Sequence, residues 1–146
     1  MIVFLKFFLF LYIETFLFII VHELFHILAA LCMGIEIEKV QIGKEGLLSL
    51  SINERLSISP IICGGYVDVS LEQIVNKGYA GIFVFGCSGF LGNIVTILIV
   101  ISIKRVFILY RLWALIFNIC IVITSIIPFF KGDAFTISEL LRKVKK

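Results

Sequence analysis

Near its N-terminus the chain reads Phe18-Ile19-Ile20-Val21-His22-Glu23-Leu24-Phe25-His26-Ile27-Leu28. This run holds both histidines of the chain, four residues apart, with a glutamate directly after the first. On an α-helix that spacing places the two imidazoles on one face about a turn apart, where they can bind one Zn²⁺. The glutamate can then reach a water molecule bound to that zinc. The run therefore predicts a zinc-binding helix that carries its own base.

The surroundings of this motif are apolar, so three ionisable side chains lie in a stretch that otherwise has the character of a membrane span. Ionisable groups are costly in lipid, and within a span they usually mark a functional site whose partners face the bundle interior. The alternative is that the two histidines hydrogen-bond to neighbouring helices and have no further role. The apolar setting favours a functional site.

Composition indicates a membrane protein of one domain, residues 1–146. Hydrophobic residues make up 61% of the chain and charged residues 16%, and the mean hydropathy is +1.16, which excludes an ordinary soluble domain. The net charge of +3 gives no reason to expect a nucleic-acid partner. The four cysteines form no C-x-x-C pair and are interpreted as small apolar residues.

Three apolar segments are long enough to cross a bilayer: residues of about 2–33, 79–103 and 106–130. Between the first two, residues of about 35–59 alternate in polarity and predict a small β-hairpin about the turn Gly43-Lys44-Glu45-Gly46. A further short strand is expected at 56–59. We therefore predict an α-helical polytopic membrane protein with a three-span core and a β-hairpin between spans 1 and 2.

The C-terminal residues of about 136–145 predict an amphipathic helix, which begins at a capping box. Nine lysines and arginines lie in the loop between the first two spans and in the tail after the third span, against four elsewhere, so the hairpin and the tail are both expected to be cytoplasmic. We expect a multi-pass protein of a bacterial cell membrane, with the lipid bilayer as its surroundings.

A catalytic zinc needs a third protein ligand, and two histidines with one carboxylate form an established set. The first and third spans run in the same direction, which brings His22 and Asp133 toward the same membrane face. Pro128 ends the third helix and Gly132 lets the chain turn, so Asp133 is the best candidate. The alternative role of Asp133 is to cap the tail helix.

Other polar and small residues are candidates for contact with substrate. Asn93 and Asn118 are available to stabilise an oxyanion, or equally to hydrogen-bond between helices. Gly64 and Gly65 could receive an extended substrate strand, or belong to a hairpin at the membrane surface. The glycines of the second span are interpreted mainly as packing positions: Gly86, Gly89 and Gly92.

These motifs follow one another in a set order. They are His22-Glu23-Leu24-Phe25-His26, then Gly64-Gly65-Tyr66-Val67, then Ser88-Gly89-Phe90-Leu91-Gly92-Asn93, then Pro128 followed by Asp133. In this the chain resembles the site-2 protease family of intramembrane zinc metalloproteases. The resemblance implies that His22, His26 and Asp133 bind Zn²⁺ and that Glu23 is the general base. The chain departs from the family pattern at Phe90, where proline is common, and at Ser125, where asparagine is usual.

The function we expect is that of an intramembrane zinc metalloendopeptidase, which hydrolyses a peptide bond in or near a membrane-spanning segment of an anchored protein or peptide. The chain has no room for a PDZ or CBS domain, so control is expected from a separate membrane partner. Two alternatives stay open: an inactive protease-like membrane anchor, and a metal-binding membrane transporter.

Overall fold

The computed structural model describes residues 2–46, 48–61, 64–102, 108–126, 137 and 140–142. Within these residues the longer helices and strands follow one another in the order α1 (Ile2–Met33), β1 (Ile37–Ile42), β2 (Leu50–Ser51), β3 (Leu56–Ile58), β4 (Gly65–Val69), α2 (Leu71–Asn76), α3 (Gly78–Ser102) and α4 (Ile108–Ile126). The fold is mostly helical, with one small sheet between the first and second long helices.

The first helix, α1, ends because Gly34 adopts the left-handed backbone conformation, with φ of 66°. The Ile35 N–H then donates to the Ala30 carbonyl at 2.9 Å, and the Gly34 N–H donates to the Leu31 carbonyl at 3.1 Å. These two bonds are the pair that defines a Schellman helix end. Ile35 and Ala30 are buried in the same apolar cluster, so the turn directs the chain back along α1.

The strands form one sheet in the order β2-β3-β1-β4. β1 pairs with β3 in parallel and with β4 in antiparallel fashion, while β2 pairs antiparallel with β3. Val40 and Ile42 of β1 form a buried cluster with Ile19 of α1. One face of the sheet therefore packs directly against the helix that carries the two histidines.

The predicted hairpin about Gly43-Lys44-Glu45-Gly46 is wrong in its pairing, because the described partners of β1 are β3 and β4. Asn53 explains why β2 pairs locally: its side-chain oxygen accepts from the N–H groups of Arg55 at 2.8 Å and Leu56 at 2.7 Å, which closes a tight turn into β3. The parallel register then sets apolar residues of β3 opposite Val40 and Ile42. Strand β4 was not predicted.

The helices α1 and α3 coincide with the first two apolar segments to within one residue at each end. Both are long and apolar enough to cross a membrane, whereas the apolar helix Ile108–Ile123 within α4 is shorter. The described structure thus contains two candidate spans, and the three-span core stays a prediction. Of the predicted tail helix, residues 137 and 140–142 are helical, and the remainder lies outside the described residues.

Aromatic contacts fix the direction of α4 relative to α1. Phe10 contacts Tyr110 at a ring-centroid distance of 4.2 Å, and Phe18 contacts Phe117 at 6.1 Å. Residue numbers rise together in these pairs, so the two helices run in the same direction. By the same reasoning α3 runs antiparallel to α1, since His22 contacts Asn93 whereas His26 contacts Ser88.

Candidate metal centre

The predicted motif lies in α1 where this helix has neighbours on two sides. Its three ionisable side chains are buried: His22 is 8% exposed, Glu23 4% and His26 6%. The two histidines face α3, and their ring centroids are 5.0 Å apart. Glu23, one residue on from His22 and therefore about 100° around the helix, reaches the sheet at β4. The motif thus divides its side chains between two neighbours.

The His26 ring is oriented by two groups of α3. Its Nδ1 lies 3.0 Å from the Phe85 carbonyl oxygen and 2.9 Å from Ser88 Oγ, and Ser88 Oγ donates its own proton to the Phe85 carbonyl at 2.6 Å. A carbonyl oxygen only accepts, so Nδ1 of His26 must carry the proton in this contact. The neutral ring then has its lone pair on Nε2, which is the state that a metal ligand requires.

The His22 ring contacts a different residue of α3. Its Nδ1 lies 3.0 Å from Nδ2 of Asn93, a fully buried side chain. Both histidines therefore have Nδ1 held by α3, which leaves the direction of each Nε2 set by the protein. Metal-binding histidines commonly donate a hydrogen bond from their second nitrogen to an acceptor, as His26 does to the Phe85 carbonyl.

Gly89 lies directly beside the rings of both histidines. A Cβ built on Gly89 would lie 2.4 Å from both Nε2 and Cε1 of His22 and 2.5 Å from His26 Nε2. The absence of a side chain at this position therefore lets the edges of both rings lie against α3. Two imidazoles held side by side are a donor pair that suits Zn²⁺.

The third ligand is not among the described residues. Within the described ranges, no group of three His, Cys, Asp or Glu side chains is arranged to hold a metal ion. The predicted ligand Asp133 lies outside those ranges, so its role stays a prediction. A zinc site built on the two histidines would need at least one further donor.

The Glu23 side chain meets the sheet at Gly65. A Cβ on Gly65 would lie 2.9 Å from Glu23 Oε1 and 2.8 Å from the backbone oxygen of Gln41. Gly65 is the first residue of β4, and in the described part of the chain β4 forms one edge of the sheet. The carboxylate therefore lies beside an edge strand at a position without a side chain.

An exposed polar cluster ties the turn after β1 to β4. Lys39 Nζ donates to Glu45 Oε1 at 2.6 Å, and the Tyr66 hydroxyl donates to Glu45 Oε2 at 3.1 Å. The hydrogen bond from Lys39, followed by that from Tyr66, holds the pKa of the Glu45 carboxyl below its usual value. The bond to Glu45 raises the pKa of Lys39 in turn. Tyr66 follows Gly65 directly, so this cluster helps to position the strand beside Glu23.

Two other predicted site residues, Asn118 and Gly64, make hydrogen bonds outside the histidine motif. Asn118 is fully buried in α4 and donates to the Ala114 carbonyl of its own helix at 2.9 Å. Gly64 has φ of 116° and accepts a hydrogen bond from the Gly43 N–H at 2.8 Å. Both residues therefore have structural contacts, and their proposed roles toward a substrate stay predictions.

Sequence reasoning did not assign the Phe85 carbonyl, Ser88 or Gly89 to the site. Ser88 and Gly89 appeared in the resemblance, but the glycine was interpreted mainly as a packing position. The available signal was the separation of Ser88 and Asn93, which roughly matches that of the two histidines in an antiparallel helix. The chain was also compared with protein-family models, curated proteins and solved structures, and none of the three comparisons gave a match.

Proposed function

We propose that this chain is a zinc-dependent endopeptidase that hydrolyses a peptide bond within or beside a membrane-spanning segment of another protein. The observation that carries the proposal is that His22 and His26 are buried side by side against Gly89 of α3, with their ring centroids 5.0 Å apart. Glu23 lies on the same turn of the same apolar helix. The likeness of the sequence motifs to those of the site-2 protease family supports the proposal.

A bilayer is the proposed environment of the site. Many large apolar side chains on α1 and α3 are exposed, among them Phe4, Phe83 and Leu98. Surfaces of this kind are rare on soluble monomers, and lipid would cover them. The distribution of lysine and arginine favours a cytoplasmic position for the C-terminal tail and for the loop between α1 and α3.

His22 and His26 would bind the metal, and Asp133 is the proposed third ligand. Bound zinc would supply a Lewis acid that lowers the pKa of water and polarises the scissile carbonyl. Two histidines with one carboxylate leave an open coordination position, as catalytic sites require.

Glu23 would act as the general base and then as the general acid. As the water oxygen bonds to the carbonyl carbon, the carboxylate accepts the water proton. When the carbon–nitrogen bond breaks, Glu23 passes that proton to the leaving amine. Burial of this side chain keeps the transferred proton from exchanging with bulk solvent.

The β4 edge is the proposed place for the substrate backbone. A helical substrate shields its amides by internal hydrogen bonds, so it must unwind before a carbonyl can reach the site. An extended segment can add to an edge strand through main-chain hydrogen bonds. Gly64 and Gly65 carry no side chains, and Gly65 lies beside Glu23, so a strand added there would pass close to the base.

Glu23→Gln is the decisive test, because the amide keeps the size of the side chain but cannot accept the proton. The full chain, purified in detergent and loaded with zinc, would be incubated with a single-span membrane protein tagged at both ends. We expect cleavage to fall by roughly 10²–10⁴-fold, which is the usual contribution of a general base. Zinc content, measured by elemental analysis, should be unchanged.

Glu14→Gln is the matched control, since it makes the same change in the same helix outside the motif. Its cleavage rate should equal that of the unaltered chain. Cleavage by the Glu23→Gln variant at the full rate would exclude the mechanism. Zinc binding without cleavage of any tested substrate would instead favour the inactive anchor or the metal carrier.

A further inference from the structure

Asn93 is a side chain of α3 that contacts the His22 ring. It is fully buried, and its Nδ2 lies 3.0 Å from His22 Nδ1. In this orientation its Oδ1 is buried with no hydrogen-bond partner among the described residues. A buried amide oxygen without a donor is costly, and such a group calls for an explanation.

The orientation of this amide decides the tautomer of the ring. With Nδ2 toward His22, the ring Nδ1 must accept, so a neutral ring carries its proton on Nε2 and cannot bind a metal there. Turning the amide by 180° exchanges the positions of oxygen and nitrogen with little change in shape. Oδ1 then accepts from Nδ1–H, and the neutral ring has its lone pair on Nε2, where it can bind a metal.

We propose that Asn93 is a positioning residue that selects the metal-binding tautomer of His22 by presenting Oδ1 to the ring Nδ1–H. The inference rests on the metal centre of the proposed function and assigns Asn93 a role other than oxyanion stabilisation. The two proposed ligands, His22 and His26, would then differ in how their tautomers are set. His26 Nδ1 faces the Phe85 carbonyl, which can only accept, whereas His22 Nδ1 faces an Asn93 side chain, which can either donate or accept.

The zinc affinity of Asn93 variants should follow the ability of the new side chain to accept a hydrogen bond from His22 Nδ1–H. Asn93→Leu keeps the approximate size and removes the acceptor, so we expect affinity to fall about 10–100-fold, the usual cost of losing an outer-shell partner. Asn93→Asp always presents an oxygen, so affinity should equal or exceed that of the unaltered chain. Ser88→Ala should weaken binding less than Asn93→Leu, because the Phe85 carbonyl still accepts from His26.

The affinities would be measured on the full chain in detergent micelles by competition with a chromogenic zinc chelator, and Co²⁺ absorption spectra would report changes in the ligand set. Thr96→Val is the matched control, since Thr96 is a buried residue one turn away whose hydroxyl bonds to its own helix at Gly92. This variant should bind zinc as the unaltered chain does. Equal affinity in Asn93→Leu, or equal losses in Asn93→Leu and Asn93→Asp, would overturn the inference.

Two further measurements distinguish a failure of this inference from a failure of the proposed metal centre. Unchanged affinity in His22→Ala would overturn the metal centre itself, and the inference with it, whatever Asn93 does. If Asn93→Leu fails to fold, ¹⁵N chemical shifts of His22 in the zinc-free, unaltered chain decide the question. A proton on Nδ1 supports the inference, and a proton on Nε2 overturns it.

Discussion

The two sides of α1 that meet at the motif are built in different ways. On the α3 side, the two rings are hydrogen-bonded to Asn93, to Ser88 and to the Phe85 carbonyl. On the sheet side, Glu23 meets a glycine and the backbone of an edge strand. In the proposed function, the α3 side would orient the two metal ligands and the sheet side would bring the substrate backbone to the base.

Gly89→Ala should have the largest effect, because its methyl group would lie 2.4 Å from the His22 ring and 2.5 Å from His26 Nε2, so both rings would have to move. We expect zinc binding to fall by more than the 10–100-fold cost of losing an outer-shell partner, and cleavage to be lost with it. Gly92→Ala is the control on the same helix, since its Cβ would meet the Phe25 ring at 3.0 Å and should leave zinc in place. Elemental analysis measures both. Full zinc content in Gly89→Ala would show that the two histidines do not bind zinc beside Gly89.

Gly65→Ala tests the other side of the comparison and should reduce cleavage without loss of zinc. The added methyl would lie within 3.0 Å of both Glu23 and the Gln41 backbone oxygen, so the carboxylate or the strand must move. A misplacement of about 1 Å at a catalytic group can cost roughly a hundredfold in rate. Rate and zinc content would be measured together. Parallel loss of both would mean that the two sides are not independent.

Glu45→Gln should have the smallest effect, since it weakens the exposed cluster that ties the turn to β4. The pKa of Glu45 is lowered in the folded chain, so its ion pair contributes stability above the ordinary pKa of 4.5 and loses it as the pH falls through the lower folded value. At neutral pH we expect faster hydrogen exchange at Tyr66 in the variant, with cleavage little changed.

Lys44→Gln is the control for this variant, because it also removes an exposed charge from the turn. Its exchange rates should match those of the unaltered chain. The difference between Glu45→Gln and the unaltered chain should vanish in acid, once the carboxyl is protonated. If the exchange rates of Glu45→Gln and the unaltered chain still differed in acid, the Glu45 side chain would act by packing and not by charge.

Sequence reasoning succeeded where the signal was local. The apolar run that ends before Gly34 predicts α1, and the spacing of His22 and His26 places both rings on one face whatever the rest of the chain does. The pairing of β1 with β4 and the meeting of Asn93 with His22 depend on the register between distant segments. Periodicity carries no information on such registers, so these contacts could not be predicted from it.

The same difference in sequence separation has a consequence for the order in which the site is assembled during translation. The residues that orient the rings lie 71 and 62 positions beyond His22 and His26, whereas the sheet beside Glu23 is complete before α3 begins. Chains emerge from the ribosome N-terminus first, at about 5–20 residues per second. Under the proposed function, a nascent chain would therefore carry its base for several seconds before its metal ligands are oriented, and during that time it would be unable to cleave neighbouring proteins.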